Sequence, residues 1–195
     1  MSYRDIYITV KRKIFGFCKL IFRKKYYDFL MFIYHLQKDK FKGYSLKENL
    51  SFIDNIIKTN NINSIIDYGC GKAMAYKDYP FEKKKIDIFL YDPYFLKYRK
   101  LPKKKFELLI CTDVMEHIQK NEIENTLIKM NNYSSKNLYF SICTRPAKKI
   151  LPDGQNAHVT LMSKNEWMTI IEKNISKEKK VYLRFDNEKN ITEIN

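Results

Sequence analysis

Two short clusters in this chain carry residue types at spacings that can do chemistry. The first is Asp67-Tyr68-Gly69-Cys70-Gly71. Glycines separated by one residue let the main chain pass close under a ligand, and the first amides of a following helix face the same space. The acid two residues before the first glycine selects among ligands. A pyrophosphate would be repelled by it, whereas a zwitterion with sugar hydroxyls tolerates it. A dinucleotide fingerprint also asks for a third small residue at its sixth position, where this chain has Met74. A phosphate P-loop needs four residues between its glycines and a following Lys-Ser/Thr, which are absent. Asp92, 25 residues after Asp67, ends an apolar run, where a carboxylate can accept hydrogen bonds from both hydroxyls of a ribose. The plainer alternative is an ordinary strand-to-helix turn at Gly69 and Gly71 and an ordinary stop at Asp92-Pro93.

The second cluster is Asp113-x-x-Glu116-His117. On a helix, positions i, i+3 and i+4 share a face, so three metal-competent side chains fall on about one turn. His158 arrives from after a later strand and can close the same pocket. Asp113, Glu116, His117 and His158 together can bind a divalent cation that orients a hydroxyl and lowers its pKa. Without a metal, His158 or His117 can serve as the base, with Glu116 orienting an imidazole or the acceptor; His117 can equally cap and pack. Arg145 can pair with an acceptor phosphate or carboxylate, or lie on the surface beside Pro146. His35, between Tyr34 and Leu36, reads as structural.

These clusters sit at the ends of short apolar runs. Ser64–Tyr68, Ile86–Tyr91, Phe106–Thr112 and Leu138–Cys143 read as buried strands, each ending at a polar or glycine cluster. Between them, Ser45 N-caps a helix with Glu48 at the third position and ends near Asn60, and a helix begins near Val114 and continues through Asn121–Met130. His158–Met162 reads as a further strand or strand entry, Ser163 caps a helix holding Trp167, Ile170 and Ile171, and Lys180–Phe185 with Ile191–Ile194 forms a terminal antiparallel hairpin. Alternating strands and helices of this kind predict a mostly parallel sheet covered on both faces, with ligands beyond the strand carboxyl ends.

With 195 residues and 45% hydrophobic content, the chain makes one compact unit with a lead-in. Residues 1–42 form that lead-in, with 11 Lys/Arg against three acids and apolar residues Phe15, Cys18, Phe22, Phe29, Phe32, Ile33 and Leu36 at roughly helical spacing; residues 43–195 hold the motifs. Lys+Arg 37 against Asp+Glu 22 gives a formal charge of +15, which raises nucleic acid, anionic membrane or phosphorylated substrates as partners. The cations are densest in 11–25, 83–105 and 173–180, outside the motifs. Four cysteines without a C-x-x-C pair indicate neither a zinc ribbon nor a disulfide framework, and charges cut the N-terminal apolar runs short of a signal segment. A cytoplasmic setting is expected.

Ile66-Asp-Tyr-Gly-Cys-Gly-Lys72, Tyr91-Asp-Pro93, Cys111-Thr-Asp-Val-Met-Glu-His-Ile118 and Leu151-Pro-Asp-Gly-Gln-Asn-Ala-His158, in that order, resemble compact class I S-adenosylmethionine-dependent methyltransferases of the phage and bacterial surface-glycan type. The resemblance spans roughly residues 43–172. It implies an α/β, Rossmann-like class I methyltransferase fold with a C-terminal antiparallel hairpin. It implies that Asp67, Tyr68, Gly69, Cys70 and Gly71 surround the methionine end of S-adenosylmethionine, that Asp92 and Pro93 hold the ribose, and that Thr112 and Asp113 line the reacting side. Ala73 stands where such enzymes usually have a further Gly, and the short span from Asp92 to Phe106 leaves the adenine contact unassigned. The Asp113 cluster is similar to that of metal-assisted RNA 2′-O-methyltransferases and ubiquinone-pathway O-methyltransferases, which usually have Glu in place of Asp113. The expected activity is methyl transfer, chiefly O-methylation, to a small molecule or glycan precursor. The alternatives are an RNA 2′-O- or base methyltransferase, and a basic membrane-surface or interaction protein using residues 11–42.

Overall fold

The computed structural model describes residues 3–22, 25–78 and 85–194. The side chain of Phe22 and residues 23, 24, 83 and 84, which belong to the lead-in stripe and the basic clusters, lie outside that description.

Six strands form one sheet in the order β2-β1-β3-β4-β5-β6. β1 (Ser64–Tyr68), β2 (Asp87–Tyr91), β3 (Phe106–Thr112), β4 (Ser134–Ile142) and β5 (Lys180–Phe185) are parallel, and β6 (Thr192–Ile194) runs antiparallel to β5. The chain is therefore an α/β protein with a mostly parallel sheet and a C-terminal antiparallel pair. The central strands are apolar on both faces because both faces are covered. On one side Leu127 and Met130 of α4 (Ile123–Tyr133) and Trp167 and Ile171 of α5 (Lys164–Asn174) pack over Leu109, Leu138, Phe140 and Leu183. On the other, Leu46, Ile53, Ile56 and Ile57 of α3 (Ser45–Thr59) cover Ile65, Leu108, Ile110 and Tyr139. Ser163 and Glu166 complete the expected capping box of α5.

The lead-in is two helices, α1 (Tyr3–Phe22) and α2 (Tyr26–Leu36). Of the apolar residues that recur at helical spacing in α2, Phe29, Phe32 and Ile33 are half-buried and Leu36 is exposed, while the residues the helix buries are Tyr26, Leu30, Met31, Tyr34 and His35. A helix that is apolar nearly all round does not advertise its face. Here the polar tips decide, since Tyr26 Oη donates to Asp153 at 3.0 Å and His35 Nδ1 lies 2.8 Å from the Met31 carbonyl.

Four further expectations are corrected. Tyr44, not Ser45, holds the cap position of α3, and Ser45 Oγ instead donates to the Thr112 carbonyl at 3.1 Å. The helix expected near Val114 is replaced by two single turns, Met115–His117 and Lys120–Glu122. Continuing it would need the carbonyls of residues 116–118, but the Thr160 amide, Tyr27 Oη and Thr160 Oγ1 take them. After Gly71 the expected helix is only the short turn Met74–Lys77 among the described residues, because Gly71 (φ 56°) and Ala73 (φ 53°) are left-handed and cannot begin a right-handed helix. His158–Met162 is not a strand, its Thr160 amide being committed to Glu116. No helix among the described residues is long and apolar enough to cross a membrane.

Candidate functional site

Strand order reverses between β1 and β3, and the crevice above that point is where ligands of open α/β sheets bind. A cavity of about 420 Å³ lies there, of the size that holds a small organic ligand. Tyr68, Gly69 and Gly71 from the β1 turn, Asp92 and Pro93 from the tip of β2, and Thr112 and Asp113 from the tip of β3 all line it. Asp67 and Cys70 do not; both are buried, 3% exposed. α2 supplies the opposite wall through Tyr27, Met31 and His35.

The amides of the glycine turn are not free, contrary to the expectation that a helix start would aim them at the ligand. Gly69 and Cys70 donate to the Tyr91 carbonyl at 2.7 and 3.1 Å, Lys72 to Phe41 at 3.0 Å, Ala73 to Cys70 at 3.0 Å and Met74 to Lys42 at 2.9 Å. Gly71 donates to Asp92 Oδ2 at 2.9 Å. A phosphate would find no free amide in this turn. The close approach that requires glycine is made by the protein itself, since a Cβ on Gly71 would stand 2.4 Å from the Phe41 carbonyl oxygen.

Asp92 is similarly committed. Its Oδ1 accepts from the amides of Tyr94 and Phe95 at 2.9 and 3.0 Å, so with Gly71 three of its roughly four lone-pair sites are filled. His35 Nε2 lies 3.7 Å from Oδ1, and the imidazole stacks on Phe41 with centroids 4.1 Å apart. Burial holds His35 below the ordinary imidazole range, while the Asp92 charge works against it. Read as structural from sequence, His35 stands at the cavity beside Asp92; the only signal was its place on the inward face of α2, which the uniform hydrophobicity of that helix hid.

Asp67 lies beneath the turn. Its Oδ2 accepts from Tyr76 Oη at 2.8 Å, while Oδ1 has no partner among the described residues. Burial raises its carboxyl to about 7; the Tyr76 bond works against the rise and the Asp92 charge adds to it. Because the folded value exceeds the unfolded 3.8, this group's stability contribution is complete below about pH 4 and is lost as pH climbs through about 7. Asp67→Asn is expected to remove that loss, up to about 4 kcal/mol. Urea unfolding from pH 4 to pH 8 would show a flatter profile in the variant; an unchanged slope would refute the assignment.

A second cavity of about 550 Å³ adjoins the first, and Phe41, Gly43, Ser45, Asp113 and His117 border both. Glu116 and His158 face only the second. One ligand atom each from Glu116, His117 and His158 lies within 4.8 Å of the others. His117 Nδ1 is 2.7 Å from the Ala157 carbonyl and His158 Nδ1 is 2.6 Å from the Arg145 carbonyl. A carbonyl only accepts, so each Nδ1 carries the proton and each Nε2 offers a lone pair. Burial presses His117 down to about 3, keeping it neutral. Glu116 is 0% exposed; its Oε1 accepts from the Cys143 amide at 3.2 Å and lies 4.0 Å from His158 Nε2, and its Oε2 has no partner among the described residues. Burial first, and the Asp113 charge second, push its carboxyl well above the usual range. Asp113 stays outside this group, its Oδ1 accepting from Ser141 Oγ at 3.1 Å. Its left-handed backbone (φ 54°) and the missing helix separate it from the other three. Arg145 borders the second cavity but pairs with Asp186 at 3.2 Å.

Set against known protein families, curated proteins and solved structures, the chain matches none of them. What the fold defines is an α/β protein with paired cavities at the switch point of a mostly parallel sheet.

Proposed function

We propose that this protein is a class I, Rossmann-like methyltransferase that uses S-adenosylmethionine to O-methylate a small molecule or glycan precursor. The observation that carries the reading is the switch-point cavity itself. It is bordered by Tyr68, Gly69, Gly71, Asp92, Pro93, Thr112 and Asp113, yet the turn beneath it offers no free amide for a phosphate. Nucleotide cofactors held by pyrophosphate are disfavoured there, and a zwitterionic donor with a ribose remains.

Bound S-adenosylmethionine supplies a methyl group on a positively charged sulfur, already activated for displacement. The protein's part is alignment and proton management. Thr112 and Asp113, at the tip of β3, border the donor cavity, and Asp113 and His117 border the acceptor cavity as well. His117, pressed to about 3, is a poor proton acceptor. The proton of an acceptor hydroxyl therefore goes to His158 Nε2, and the charge that develops on the ring draws the buried Glu116 carboxyl, 4.0 Å away, toward its ionised form. The same donor set also fits a divalent cation: two imidazoles anchored through Nδ1 and a buried carboxylate with an unused oxygen. Glu116, His117 and His158 would hold it, and its chemistry there would be to acidify a hydroxyl.

Titration calorimetry of the purified protein is expected to show saturable binding of S-adenosylmethionine and S-adenosylhomocysteine and none of NAD or ATP. Binding of NAD or ATP in preference would overturn the reading.

A further inference from the structure

Helix α1 carries an apolar stripe that nothing among the described residues covers. Ile6, Val10, Ile14, Phe17 and Ile21 succeed one another at intervals of three or four residues, which keeps them in one narrow sector of the helix. They are 46%, 49%, 55%, 64% and 58% exposed, and Leu20 beside them is 73% exposed. The helix holds to the rest of the protein by another side, where Phe15 and Cys18 pack against the cluster of Tyr26, Leu30 and Tyr34. α2, by contrast, turns its inward face to the cavity wall, and its outward Phe29, Phe32 and Ile33 are half-buried.

Charge decides among occupants. α1 contains five Lys/Arg and one acid, Asp5, with Lys13 and Lys19 exposed. A second copy would set two such cationic helices against each other, which repels, as would any basic partner. A surface that is apolar beneath and anionic above satisfies both features: Ile, Val and Phe enter the acyl boundary while lysine stems reach up to the headgroups. We propose that α1 docks this protein in the plane of an anionic membrane surface. The stripe does not make it a spanning segment, since its charges interrupt it and no helix among the described residues is long and apolar enough to cross.

The test is flotation of the full-length protein with vesicles of equal parts phosphatidylglycerol and phosphatidylcholine, against vesicles of phosphatidylcholine alone. The protein is expected to float with the anionic vesicles and to be released by salt. Ile14→Glu with Phe17→Glu should abolish flotation without moving the melting temperature, because both side chains are exposed. Lys13→Gln with Lys19→Gln should lower partition on the order of tenfold or more. A protein that stays in the bottom fraction overturns the proposal, as does flotation that survives the stripe substitutions. A lipid-free dimer that the stripe substitutions dissociate would assign the face to a second copy instead.

Discussion

Near neutral pH and without divalent cations, Glu116→Gln is expected to be more stable than the unaltered protein, by about 2 kcal/mol. For a chain of this size that is a rise of several degrees in Tm. The reason is the isolation of its carboxyl: fully buried, with Oε2 unpartnered and the negative Asp113 nearby, it ionises only at a cost. The sign follows from its folded pKa lying above the unfolded 4.5. Its contribution is complete below about pH 4.5 and is lost as pH rises through the raised value, so the advantage of Gln should grow as pH rises. Mn²⁺ or Zn²⁺ is expected to raise the Tm of the unaltered protein and to leave Glu116→Gln unmoved, because a ligand that binds only the native state stabilises it by mass action. Methyl transfer should fall at least about a hundredfold. A less stable Gln variant would mean that the carboxylate is a brace, and equal stabilisation of both proteins by the cation would place the ion elsewhere.

Substitution of Asp92 is expected to hit fold and ligand together. In Asp92→Ala the amides of Gly71, Tyr94 and Phe95 lose their acceptor at once, a cost of about 3 kcal/mol or more if water cannot replace it. Lost donor binding in that variant would therefore say little about a ribose. Asp92→Asn separates the two roles. Its carbonyl can still accept from Tyr94 and Phe95, while its NH₂ meets the Gly71 amide donor to donor, at about 1–2 kcal/mol. Measured well below the melting point, S-adenosylmethionine affinity in Asp92→Asn is expected to drop about tenfold, since Asp92 borders the cavity and the oxygen with an acceptor site left over, Oδ2, becomes an NH₂. Unchanged affinity in a folded Asp92→Asn protein would reduce Asp92 to a clasp for the turn.

The strands were legible because a buried parallel strand is written as a short apolar run ended by a polar stop. β1, β3 and β5 fall where Ser64–Tyr68, Phe106–Thr112 and Lys180–Phe185 placed them. The polar tips Asp92, Thr112 and Asp113 then reached one cavity through the parallel register alone. What the sequence hid depends on partners far along the chain. Thr160 and Tyr27 capture the carbonyls that would have continued a helix from Val114, and no local pattern announces a residue more than forty positions away. Glu116, His117 and His158 still converge, but by way of a turn and a loop rather than a helical face, and this is why Asp113 was grouped with them wrongly. His35 reads as structural because a helix apolar nearly all round leaves its inward direction to packing.

The turn after β1 completes itself with borrowed material. Phe41 and Lys42 lend it their carbonyls, and Gly43 lies so close that a Cβ there would stand 2.2 Å from the Cys70 carbonyl oxygen. The shift in composition at residue 42 is thus a seam in chemistry and not in architecture. A shortened clone starting at residue 43 would strip two acceptors from the turn and one wall from the switch-point cavity in a single cut. On the ribosome the order is reversed: the emerging lead-in must wait, unpaired, until the glycine turn is made and can receive it.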